Sequence, residues 1–303
     1  MSASRHEPTS ICGTSTGGLL ALMLADGYTP QQIKNIYWYH LAQVFTTTPA
    51  RRYSPFCATY SKDALAQVVE LYCGGRLLGD LHKHVIITSF RLVPPVTPPG
   101  AADAGGAALR ARWQPAVFSN IPQTVRGSDR PDLDMSVIRA ALRTSAAPTL
   151  FPLHEGFTDG AVFANNPSLV GVTKVKSHFP RIKSADIRVL SLGTGDFPAS
   201  VDLQGDDDAD WGIRQWAPHL LDMLIDASSV NVDMNLRLLL NRNYHRLDPL
   251  LPWRINVDNT DAMDELVKAS EEADLEDAIR FLKGRWSDPS PPPLEEEGAR
   301  VQE

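Results

Sequence analysis

No apolar run in this sequence approaches the roughly 20 residues that a membrane-spanning helix needs, and residues 1–8 hold no apolar stretch of the secretory kind. The expected location is therefore cytoplasmic. Cysteine is scarce: Cys12, Cys57 and Cys73 are an odd number without metal-type spacing, which argues against a disulfide framework and a zinc site. Positive charge is in deficit, with 29 Lys and Arg against 36 Asp and Glu and a formal net charge of -7. That balance speaks against a nucleic-acid partner and against strong attraction to an anionic membrane face. There is no internal repeat. Asp202, Asp206, Asp207, Asp208 and Asp210 crowd into one stretch without the spacing of a calcium loop, and read as a solvated acidic loop. Gly193-Thr194-Gly195 lacks the further glycine spacing of a phosphate loop.

What is present fits one large α/β domain: 303 residues, 43% of them hydrophobic, with helix and strand signals in alternation. Thr29-Pro30 reads as the cap and first residue of a helix, and Ser61 caps another that Gly74-Gly75 ends. Residues 85–90 and 113–118 read as strands, 134–143 as a helix, 187–192 as a strand and 218–240 as a helix packed on the sheet. Asn166-Pro167 has the form of a helix cap and first position. Residues 94–106, rich in Pro, Gly and Ala, read as a surface loop, and the Pro- and Glu-rich end as a disordered tail. The expected organisation is a catalytic core over 1–172, the rest of the same domain over 173–284, and the tail over 285–303.

Gly13-Thr14-Ser15-Thr16-Gly17-Gly18 follows the short apolar pair Ile11-Cys12 and precedes a helical run that stops at Asp26-Gly27. Strand, tight turn and helix in that order make a nucleophile elbow, with a serine hydroxyl exposed at the tip of a strained turn. Gly13 and Gly17 are expected where a side chain would collide with the crossing strand and helix. The Thr16 amide, at the positive end of the following helix, can face an oxyanion. Cys12 reads as a small strand residue.

A second stretch runs Thr144-Ser145-Ala146-Ala147-Pro148-Thr149-Leu150-Phe151-Pro152 and on to Phe157-Thr158-Asp159-Gly160-Ala161. Together with the elbow it resembles the patatin-like phospholipase family, over roughly residues 9–250. The resemblance implies a three-layer α/β fold with a mostly parallel central sheet, and Ser15 as nucleophile with Asp159 as its sole protein partner. Gly160 and Ala161 complete the Asp-Gly-Ala motif. It also implies a lipid or acyl-ester substrate, transient contact with a membrane surface, no cofactor and no nucleic acid.

An aspartate has an ordinary pKa near 3.9 and is a poor base toward a hydroxyl, so such a dyad needs desolvation and a well-aimed hydrogen bond. Phe157, Val162 and Phe163 are the apolar neighbours expected to desolvate Asp159. The family also carries a glycine-rich loop well upstream of the serine that completes the oxyanion hole. Only fourteen residues precede Ser15, and the first ten hold no glycine, so the chain is expected to be truncated, with the strand at Ile11-Cys12 exposing an edge. Three other readings stay open: an α/β-hydrolase using His178 or His245, a lipid-binding protein without catalysis, and an incomplete gene model.

Overall fold

The computed structural model describes residues 9–93, 113–121, 132–197, 200, 201, 203 and 208–286. The chain begins with strand β1 (Ser10–Thr14), then helix α1 (Thr16–Ala25) and helix α2 (Pro30–Val44). The Thr29-Pro30 signal holds: Thr29 caps α2 in a reciprocal capping box with Gln32. The short helix α3 (Pro49–Arg52) precedes α4 (Lys62–Cys73), which Ser61 caps and Gly74, at φ 55, ends. Next come β2 (His84–Arg91), β3 (Gln114–Ser119), α5 (Val137–Thr144), β4 (Phe157–Asp159) and α6 (Ala161–Ala164). The rest comprises α7 (Ser168–His178), β5 (Val189–Leu192), α8 (Ile213–Leu240), β6 (Tyr244–Leu247), α9 (Met263–Glu271) and α10 (Glu276–Phe281).

Two boundaries differ from expectation for local reasons. Helix α7 starts one residue later than Asn166-Pro167 suggests, because the Asn166 side chain accepts from the Ser168 amide at 3.1 Å and Pro167 becomes the cap. Helix α8 begins five residues before Pro218, with the proline inside it.

The α/β layering follows from side-chain alternation along the strands. On β1 and β2, Ile11, Val85 and Ile87 face one way, into the main core with Leu22 of α1, Leu65 of α4 and Val137 of α5. Cys12, Thr14, Thr88 and Phe90 face the other way. There Cys12 packs on Gly171 of α7, the Thr14 hydroxyl donates to the Ala164 carbonyl of α6 at 2.6 Å, and Phe90 meets the Phe163 ring. The sheet thus lies between α1, α4 and α5 on one face and α6 and α7 on the other. Cys12 is the small strand residue expected, and burial raises its thiol to about 12.

The central sheet is mixed where a mostly parallel one was expected. Strand β2 pairs in parallel with β1 and antiparallel with both β3 and β4; β5 and β6 form a separate parallel pair. Short β4 follows a tight reversal in which Glu155 takes φ 52 and Gly156 φ 78, with His154 and Phe157 bridged across it. Among the described residues β1 pairs only with β2. Residues 94–106 and 289–303, and Asp202, Asp206 and Asp207 of the acidic stretch, lie outside the described residues. No described helix is long and apolar enough to cross a membrane.

Candidate active site

Register alone brings the two candidate catalytic residues together. On one side of β2, Thr14 stands opposite Thr88, and the next position, Ser89, stands opposite Asp159. Strand β1 runs with β2 and β4 runs against it, so the two short strands lie end to end and meet at their C-termini. Ser15 follows directly on Thr14. The topology therefore places Ser15 and Asp159 side by side although 144 positions separate them in sequence.

The elbow is strained as its sequence suggests: Ser15 has φ 55 and ψ -128, a region L-residues avoid. Three contacts hold it there. The Ser15 amide donates to the Thr144 Oγ1 at 2.8 Å. Thr14, one residue back, is locked by its bond to the Ala164 carbonyl; its single hydroxyl proton is used there, so the Thr88 hydroxyl 2.6 Å away donates to it. Finally, a Cβ on Gly13 would collide with the Gly17 carbonyl, so the strand and helix can cross only over glycine. Gly17 itself is a correction. A Cβ there would meet nothing within 4 Å, whereas one on Gly18 would stand 2.8 Å from the Thr144 methyl. Gly18 is the second position in the elbow where space forbids a side chain.

Asp159 is 1% exposed. Burial pushes its carboxyl up to about 6, against hydrogen bonds from the Ser15 side chain and from the Ala161 amide that pull the other way. Ala161 donates at 2.8 Å from the start of α6. Of the expected desolvating neighbours, Phe157 is buried at the far end of β4 while Val162 and Phe163 are half-buried. Gly160 adopts ordinary helical angles, so it is needed for space and not for a special turn: a Cβ there would strike Thr88.

Residues 144–147 bridge the pair. Thr144 holds the Ser15 amide, while the Ala146 carbonyl accepts from the Asp159 amide at 3.0 Å and from the Thr158 hydroxyl at 2.8 Å. Arg139 and Arg143 of α5 both grip Glu155 at the reversal into β4, and the Arg143 guanidinium lies 4.1 Å from the Phe157 ring centre. Thr14, Thr144, Ala146 and Thr158 stand inside the family-like stretches of the sequence without a role read for them, and the Arg139, Arg143 and Glu155 cluster carries no sequence signal.

An apolar cavity of about 100 Å³ opens from Ser15 and Thr16 between α1, α2, α4 and α5. Leu19, Leu22, Ile36, Val44, Leu65 and Val69 supply much of its wall. No residue of α8 lines it; that helix, expected to pack on the sheet, packs against α6, α7 and β6. His178 lies against Phe179 and near His84, which starts β2 four residues before Thr88; at ~3.3 Å per residue that is the other end of the strand from Ser15. His245, on β6, stacks on Phe281. Among the described residues no group of three or more His, Cys, Asp or Glu side chains could hold a metal ion.

A three-layer α/β fold with a strained serine elbow abutting a buried carboxylate defines the class of protein, and comparison with known sequences agrees. The family model for patatin-like phospholipases matches residues 2–170. The chain is 32% identical to a cGAMP-activated phospholipase of Pseudomonas aeruginosa, over 78% of this chain and 67% of that protein. It is 27% identical to patatin-like protein 2 of Arabidopsis thaliana, over 86% and 72%, and 25% identical to the putative sporulation hydrolase CotR of Bacillus subtilis, over 90% and 86%. The chain belongs to the patatin-like phospholipase family and is, at that level, a lipid acyl hydrolase.

Proposed function

We propose that the chain hydrolyses fatty-acyl esters of lipids with Ser15 as nucleophile and Asp159 as the general base and acid. The observation that carries this reading is the buried Asp159 carboxylate, brought beside Ser15 by strand register and pushed up to about 6 by desolvation. A base of that strength is mostly ionised at neutral pH and far better matched to a hydroxyl than an ordinary aspartate.

In this reading Ser15 Oγ attacks the ester carbonyl carbon as Asp159 takes its proton. The carbonyl oxygen becomes an oxyanion beside the Thr16 amide at the N-terminus of α1. Collapse of the intermediate breaks the bond to the alcohol, which leaves with the proton from Asp159. Water then attacks the acyl-enzyme, Asp159 receives its proton, and return of that proton to Ser15 Oγ releases the fatty acid. The acyl chain lies in the apolar cavity that opens at Ser15, which favours chains long enough to fill it. The substrate is drawn from a lipid surface by transient contact.

A fluorophosphonate probe tests the assignment directly. It is expected to label Ser15, and labelling is expected to vanish in Ser15→Ala. Peptide mapping that finds another serine modified, with Ser15 untouched, overturns the elbow as the catalytic centre.

A further inference from the structure

Resting on the dyad reading, we propose that the Ser145 hydroxyl is a second hydrogen-bond donor to the reacting ester, acting with the Thr16 amide on the oxygen that gains charge. Ser145 is only 7% exposed, and its Oγ has no hydrogen-bond partner among the described residues. It also lines the cavity that Ser15 and Thr16 line. Its two chain neighbours are the residues that fix the dyad: Thr144 accepts from the Ser15 amide and Ala146 from the Asp159 amide. Ser145 is thereby held between the nucleophile and its base, on the segment that sets their spacing.

A buried hydroxyl left without a partner is a net cost to folding, because its desolvation is not compensated. Its neighbours are handled differently. The hydroxyls of Thr14, Thr88, Ser89 and Thr158, on the three strands around the dyad, are each hydrogen-bonded. An unsatisfied donor among satisfied hydroxyls, lining the substrate cavity, has a partner when the ester is bound. Donation to the carbonyl oxygen moves no proton out of Ser145: the hydroxyl stays intact while Asp159 alone handles the proton of Ser15.

The test uses the full chain with p-nitrophenyl decanoate. Ser145→Ala is expected to lower kcat by about 10- to 100-fold, up to the range seen when one oxyanion donor is removed, with KM changed less than about threefold. Its Tm is expected to stay level or rise, since the unpaired hydroxyl is gone. The rate of fluorophosphonate labelling, which places a tetrahedral phosphonyl oxygen in the same position, should fall in parallel. A purely structural serine would instead move Tm and leave the labelling rate of folded protein alone. Should Ser145→Ala fail to fold, Ser145→Cys decides: its weakly donating thiol should lower kcat at similar KM.

Wild-type kcat and labelling rate in a folded Ser145 variant overturn the proposal. Ser15→Ala run alongside separates the two readings. If it abolishes turnover while Ser145→Ala has no effect, only the Ser145 role fails; if it retains turnover, the dyad reading fails with it.

Discussion

Ser15 follows, and Asp159 ends, two strands that abut on the same edge of β2, yet the turns there are built differently. After β1 the backbone itself is strained, and the Ser15 side chain keeps some contact with solvent. After β4 the backbone enters α6 with relaxed helical angles, and the unfavourable state is electrostatic: a carboxylate with almost no exposure. A residue in such a φ region costs on the order of 1–3 kcal/mol. Raising a carboxyl from 3.8 to about 6 corresponds to about 3 kcal/mol at a pH where it is ionised. The proposed nucleophile is thus presented by conformation and the proposed base is tuned by desolvation. The two burdens are carried by different neighbours, which makes them separable by mutation.

The largest effect breaks the comparison by removing either partner. Ser15→Ala and Asp159→Asn are each expected to reduce release of decanoate from its p-nitrophenyl ester by about 10⁴-fold or more, and the double mutant to lose little further, since groups acting as one unit are non-additive. Losses that multiply would show two independent sites and end the dyad model.

A smaller effect sharpens the electrostatic half. Asp159 has a folded-state pKa raised above its unfolded value, so the native state holds the extra proton between pH 3.8 and about 6. The stability it contributes is therefore present below 3.8 and lost as pH rises through about 6. Asp159→Asn removes the buried charge and should be more stable than wild type by up to about 3 kcal/mol at pH 8. That advantage should shrink on acidification and vanish near pH 4. Wild-type kcat/KM should in turn rise with pH through an apparent pKa of about 6. Denaturant melts at pH 8 and pH 4 measure the first; a stabilised mutant at both pH values, or at neither, contradicts burial of an ionised Asp159.

Much of this site is legible in the sequence because its parts are local. A strand, a glycine-bracketed serine and a helix stand within Ser10–Ala25, and Thr29, Ser61 and Gly74 mark helix ends by side chains and angles that act over three or four residues. The Asp159 environment is less legible. Its burial comes from sheet register, which pairs it with Ser89 of β2, and from the segment after α5, whose Ala146 carbonyl holds its amide; neither is a local signal. The reversal at Glu155-Gly156 was hidden for another reason. Glutamate seldom takes positive φ, and here the two arginines of α5 hold its carboxylate from outside the turn. The orphaned Ser145 hydroxyl could not be inferred from a motif, since only packing reveals which of several serines and threonines lacks a partner.

The smallest expected effects sharpen the conformational half, through the adjacent glycines Gly17, which the sequence pattern marks, and Gly18, which the packing marks. Gly18→Ala puts a methyl 2.8 Å from the Thr144 Cγ2, so Thr144 must move, and the Oγ1 that accepts from the strained Ser15 amide moves with it. A loss of roughly 1–3 kcal/mol is expected from overpacking and the weakened bond. Gly17→Ala meets nothing within 4 Å and lies in the first turn of α1 without a positive φ. The methyl reduces the freedom of the unfolded chain and suits a helix better than glycine, so the variant should gain roughly 0.5–1 kcal/mol. Equilibrium unfolding of the two variants under one condition reads the opposite signs. If both lose stability alike, the elbow is constrained along its whole length and the Thr144 contact is not what holds Ser15 in its strained conformation.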